Sequence, residues 1–162
     1  MKAIETSNDQ EGFSLIELLI VVAIIGILAA IAIPNLLASR RAANEASAQS
    51  SLRTIHNCQA TYRATNGDRD YGTLDDLKAQ FLTDSVLASG TKSGFNFAAT
   101  PTIGANPAQF YTTAVPTSTS GISQTGTRRF AMTEDGVLRG DSTLTVPANH
   151  AAVRGMQPLG GQ

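Results

Sequence analysis

A chain of 162 residues with a formal charge of −1, 42% hydrophobic residues, no tryptophan and one cysteine has the size of a single domain. Cys58 alone excludes an intrachain disulfide and a zinc site built on cysteine pairs, and two histidines, His56 and His150, exclude a three-histidine metal centre. Residues 1–12 carry −2, residues 13–37 carry only Glu17, and residues 38–162 carry eleven basic against nine acidic side chains, so no part has a nucleic-acid footprint.

From Leu18 to Ile33 sixteen residues run without a charge or strong polar group, and the apolar zone from Phe13 to Leu37 is 25 residues long. A helix of about 20 such residues crosses the ~30 Å hydrocarbon core of a bilayer, so a transmembrane helix is expected over 13–37. A secretory signal peptide fits less well: the polar start is acidic, and the run continues through the small residues Ala29, Ala30 and Ala32 to Ile33. Glu17 is the exception inside the zone. An ionisable group there costs roughly 2.5–3.5 kcal/mol on insertion scales, so its presence demands a purpose.

The residues GFSLIELL, Gly12 to Leu19, join a glycine, an aromatic residue, an acid and an uninterrupted apolar helix at fixed spacing. In this they resemble the processing site of type IV prepilins and of type II secretion pseudopilins. The resemblance implies a leader, residues 1–12, cut between Gly12 and Phe13 at the cytoplasmic face, with N-methylation of Phe13 by the same prepilin peptidase/N-methyltransferase. Gly12 suits that cut because it has no Cβ to obstruct the backbone. The resemblance also implies that Glu17 meets the Phe13 amine of a neighbouring subunit, a pairing that sets register more than it stabilises, since either charge buried alone is costly. The implied product is a homo-oligomeric helical filament raised from the membrane on an inner-membrane assembly platform, with no cofactor and no nucleic acid.

Gly26 and Pro34 interrupt the apolar pattern. Proline removes one helical hydrogen bond and crowds the carbonyl of Ala30, so a kink is expected near Pro34. The resemblance further implies that residues 26–34 can extend in a filament. Arg40 and Arg41 follow the zone while the leader has only Lys2; basic count alone favours the opposite orientation, whereas the resemblance implies a cytoplasmic leader. Beyond Asn35 no breaker occurs before Asn66-Gly67, and Ala48, Leu52, Ile55, Gln59 and Tyr62 recur at helical spacing. One helix from Phe13 to Thr65 is therefore expected, its amphipathic continuation over 38–66 packing on a head formed by 67–162.

Within the head, Thr73 to Leu82 reads as a capped helix with Leu74, Leu77 and Phe81 on one face. Gly94 to Ala99, Gln109 to Ala114, Arg128 to Thr133 and Val137 to Arg139 alternate as half-buried strands, with Glu134-Asp135-Gly136 as a hairpin turn. Residues 112–127 hold nine Ser or Thr and read as a surface loop, and the tail from Pro147 to Gln162 reads as loosely ordered. The fold class is α+β: a long N-terminal helix on a small antiparallel sheet, as the resemblance also implies. Asn66, Asp68, Asp70, Asp75 and Asp76 form the one stretch that resembles a calcium loop. The EF-hand template fails there, with Tyr71 at the turn-glycine position and Leu77 at the bidentate-glutamate position, so the acids read as loop and cap residues.

No GxSxG, P-loop, HExxH or dinucleotide fingerprint occurs, and a passive anchor would not need Glu17. The expected protein is a structural subunit and not an enzyme. It would be stored in a bacterial inner membrane and assembled into an extracellular pilus for adhesion or motility, or into the periplasmic pseudopilus of a type II secretion system. The lack of a second cysteine removes the C-terminal disulfide loop of many adhesive pilins and gives weight to the secretion alternative.

Overall fold

The computed structural model describes residues 12–65 and 70–160. Four helices, α1 (Leu15–Thr65), α2 (Leu74–Lys78), α3 (Ser85–Ala88) and α4 (His150–Arg154), accompany five strands, β1 (Thr91–Lys92), β2 (Phe95–Thr102), β3 (Gln109–Pro116), β4 (Arg129–Thr133) and β5 (Leu138–Asp141). The chain divides after Leu37 into two compact units. The first holds the apolar start of α1, and the second holds everything else.

α1 begins where the sequence supplies a cap. The Ser14 carbonyl accepts from Leu18 N–H, and the Ser14 N–H donates to Glu17 Oε2 at 2.9 Å, one half of a capping box. The helix then runs unbroken to Thr65 with Pro34 inside it. The backbone is helical through Gly26 and Pro34, and the extension that the resemblance implies for residues 26–34 belongs to the assembled filament. A proline inside a helix removes one backbone hydrogen bond, a loss that an apolar segment tolerates better than a soluble helix does.

In the second unit the sheet is an antiparallel meander in the order β1-β2-β3-β4-β5. Ala114 stands opposite Phe130, and Met132 opposite Leu138. This register brings Phe95, Phe97, Phe130 and Met132 into one core with Ala48, Leu52 and Ile55 of α1 and Leu77, Leu82 and Leu87 from the segment before the sheet. The expected stripe on α1 is therefore the buried one. Gln59 belongs to it because its amide clamps Gly72, taking the N–H at 2.9 Å and donating to the carbonyl at 2.6 Å. The backbone arriving at α2 is thereby fixed to α1 with no unsatisfied polar group.

The expected helix over 73–82 is shorter than its pattern. Thr73 caps α2 in a reciprocal box with Asp76, but the helix stops at Lys78 and a second turn, α3, starts at Asp84, whose carboxylate accepts from the N–H of Val86 and of Leu87. The strands match their expected places to within a few residues, and β3 continues to Pro116, into what read as the Ser/Thr-rich loop. The tail departs most. Asn149 caps α4, Val153 and Met156 pack on Ala131 and Tyr111, and Pro158 bridges Arg139, so the outer face of β3 and β4 is covered. Consecutive residues of a strand face opposite sides; Phe130 and Met132 meet α1 while Ala131 meets α4, which is why β4 is buried on both.

Candidate processing and assembly site

The expected cleavage residues lie ahead of the helix. Gly12, Phe13 and Ser14 are non-helical and exposed, and a Cβ at Gly12 would meet nothing within 4 Å. The Gly12–Phe13 bond therefore lies outside the helical hydrogen-bond ladder and open to approach. Residues 1–11 of the expected leader lie outside the described residues. Glu17, in the first turn of α1, is exposed and takes the Ser14 N–H.

Behind it the helix presents an unpartnered apolar surface. Fifteen large apolar side chains from Phe13 to Leu36 are exposed, Phe13 at 82% and Leu28 at 61%. At about 1.5 kcal/mol each, contact with water would cost on the order of 20 kcal/mol, more than the whole stability of a typical domain. Such a segment requires lipid or other subunits around it. α1 is the one described helix long and apolar enough to cross a membrane, and none of its most apolar window is buried within the chain.

A family model described as the prokaryotic N-terminal methylation motif matches residues 7–33, the stretch that contains Gly12, Phe13, Glu17 and the apolar run. Over this segment the chain is similar to type IV pilins and pseudopilins. Among curated pilins, it is 52% identical over 59 residues to the type IV wide pilus major component PilA4 of Thermus thermophilus, covering 36% of this chain and 45% of that one. It is 49% identical over 51 residues to the type IV major pilin protein PilA of Myxococcus xanthus, covering 32% and 23%. It is also 33% identical over 60 residues to the type II secretion system core protein G of Escherichia coli, covering 37% and 41%. The matches span less than half the length of each of these relatives. No solved structure matches the chain.

The second unit holds groups that pattern reading did not single out. Glu45 of α1 is buried, and its carboxylate takes the Thr127 N–H and Oγ1–H, both at 2.7 Å, and the Nε and Nη2 of Arg128 at 3.1 and 3.0 Å. Burial alone would raise its pKa, but these donors outweigh it and hold the carboxyl below its ordinary value. Nearby, Arg41 Nη1 donates to Gln124 Oε1 at 3.1 Å and Asn44 Nδ2 to the Thr125 carbonyl at 3.0 Å. The first two turns or so of α1 in the second unit thus grip the loop between β3 and β4. A polar signal was present in Glu45, an acid at a position in phase with Ala48 and Leu52, but its partners lie more than 80 residues away.

At the other end of the sheet, Asp135 binds Arg139 Nη2 at 2.6 Å and caps the turn through Val137 N–H at 3.0 Å; these contacts place its carboxyl far below the usual range. Glu134 meets His150 Nε2 at 2.8 Å and so ties α4 to the β4–β5 turn. Of the residues expected to resemble a calcium loop, Asp68 lies outside the described residues, and Asp70 and Asp75 are exposed. Asp76 is spent on the Thr73 cap. Among the described residues no three His, Cys, Asp or Glu side chains are grouped to hold a metal.

Proposed function

We propose that this chain is a structural pilin subunit, cut after Gly12, N-methylated on Phe13 by the prepilin peptidase, and polymerised through residues 13–37 into an extracellular type IV pilus. The observation that carries the reading is the continuous exposed apolar surface from Phe13 to Leu36 behind an accessible Gly12–Phe13 bond, with Glu17 one turn inside it. Membrane lipid covers that surface in the stored precursor, and the same surface of other subunits covers it in the filament. Glu17 then exchanges the Ser14 N–H for the Phe13 amine of the neighbouring subunit, a charge pair that lipid could not supply. An inner-membrane assembly platform extracts the subunits as they join.

A second reading is the major pseudopilin of a type II secretion system. Its support is the match of the same N-terminal stretch to core protein G and the single Cys58, which leaves no C-terminal disulfide loop. Electron microscopy of sheared cell-surface filaments separates the two: pilus assembly predicts abundant filaments built of this chain, while a pseudopilin stays in the envelope fraction. In either case Glu17→Ala should be cleaved but fail to assemble, and normal filaments from that variant would remove the proposed role of Glu17.

A further inference from the structure

The loop between β3 and β4 carries an isoleucine with no partner. Ile122 is 82% exposed, two residues from Gln124, which Arg41 holds, and three from Thr125, whose carbonyl Asn44 holds. A flexible loop tip would not keep an apolar side chain at a fixed address, but this one is tied down at both contacts. Arg41 is four residues from Leu37, so at most about 14 Å of chain separates it from the end of the apolar segment. Exposed Arg40 stands beside it in sequence.

The geometry points to a membrane-surface contact: in the inserted precursor, Arg40 and Arg41 engage acidic phospholipid headgroups and Ile122 enters the interfacial layer beside them. This rests on membrane insertion of residues 13–37. Charge complementarity selects the lipid class, since two guanidiniums with no acidic residue from Leu18 through Ala43 face an anionic surface favourably. An exposed isoleucine next to a basic pair is the composition of an interfacial anchor. The second exposed isoleucine of the head supplies a control. Ile103 is 93% exposed and its neighbour Gly104 lines a cleft with Arg63, which is 22 residues, or about 33 Å along α1, from Arg41.

Because the chain has no tryptophan, Ile122→Trp and Ile103→Trp each create a single indole in the full-length chain, excited selectively beyond the tyrosine absorption band. The two variants are reconstituted in vesicles of brominated phosphatidylcholine, with or without phosphatidylglycerol, after flotation has established insertion. The contact predicts quenching and a blue shift for Ile122→Trp in the acidic vesicles, loss of that quenching when Arg40→Gln is added, and water-like emission for Ile103→Trp throughout. Arg40→Gln leaves the Arg41–Gln124 bond in place, so lost quenching cannot come from a loosened loop. Floating chains in which the two variants emit alike overturn the contact and leave the membrane segment standing. Chains that do not float overturn both. An Ile122→Trp emission that leaves water only as protein density rises assigns the loop to a second copy and overturns the lipid contact.

Discussion

Truncating Glu45 to alanine removes the acceptor that joins α1 to the β3–β4 loop. Four hydrogen bonds end on this carboxylate, and the side chain is only 8% exposed. Removing one partner of a fully buried ion pair costs about 3–5 kcal/mol. Arg128 is 44% exposed, however, and Thr127 is exposed, so both can take water in place of the lost bonds. The expected loss is therefore smaller, about 2–3 kcal/mol, close to that of one or two bonds to a charged group. Glu45→Gln keeps the shape and one acceptor and should cost about half as much. Urea unfolding of the full-length chain in detergent, followed by circular dichroism, reads this as a lower midpoint at unchanged slope. The depressed pKa adds a pH signature: the stabilisation is complete above the unfolded carboxyl value of ~4.3 and fades as pH falls through the lower folded value. An alanine variant within about 0.5 kcal/mol of the parent at neutral pH, the scatter of ordinary surface substitutions, would refute the assignment.

A Cβ at buried Gly126 would lie 2.5 Å from Phe95 Cζ, and Phe95 is fully buried, so Gly126→Ala should destabilise by about 1–3 kcal/mol in the same unfolding assay. Val153→Ala opens a gap beneath α4 against Ala131 and should cost about 2 kcal/mol, with faster hydrogen exchange in the segment from Asn149 to Leu159. Asp135, paired with Arg139, and Asp141, where burial is outweighed by Arg129 and Thr143 together, both have lowered pKa values. Thermal stability should accordingly stay level above the unfolded aspartate value of ~3.9 and fall as pH drops below it. Gly12→Val should leave an uncut precursor, seen as a membrane protein whose mass still includes the leader.

The long helix and the core stripe on it were legible because periodicity is a local property: Ala48, Leu52 and Ile55 repeat within one element and need no partner to be recognised. The hairpin at Glu134-Asp135-Gly136 was legible for the same reason, and Gly136 takes the positive φ of 72° that the turn requires. What could not be read depends on distant pairing. Glu45 is in phase with the buried stripe, but no local pattern signals Thr127 and Arg128, which meet it across the fold. The tail looked loose because its apolar content is sparse, yet Val153 and Met156, three apart on one face, meet Ala131, a residue too small to announce a buried outer surface. The expected end of the helix at Leu82 failed through a competing cap, since Asp84 satisfies the N–H groups of α3 and starts a new turn. For the site, Gly12, Phe13 and Glu17 were legible as a spacing, but the Ser14 N–H that occupies Glu17 in the free chain was visible only in the folded backbone.

Mass spectrometry of the subunit from purified surface filaments tests the central claim most directly. Processing and assembly as proposed predict a chain that begins at Phe13 and carries one methyl group on its amine. A filament subunit that retains Gly12, or filaments that lack this chain altogether, would contradict it.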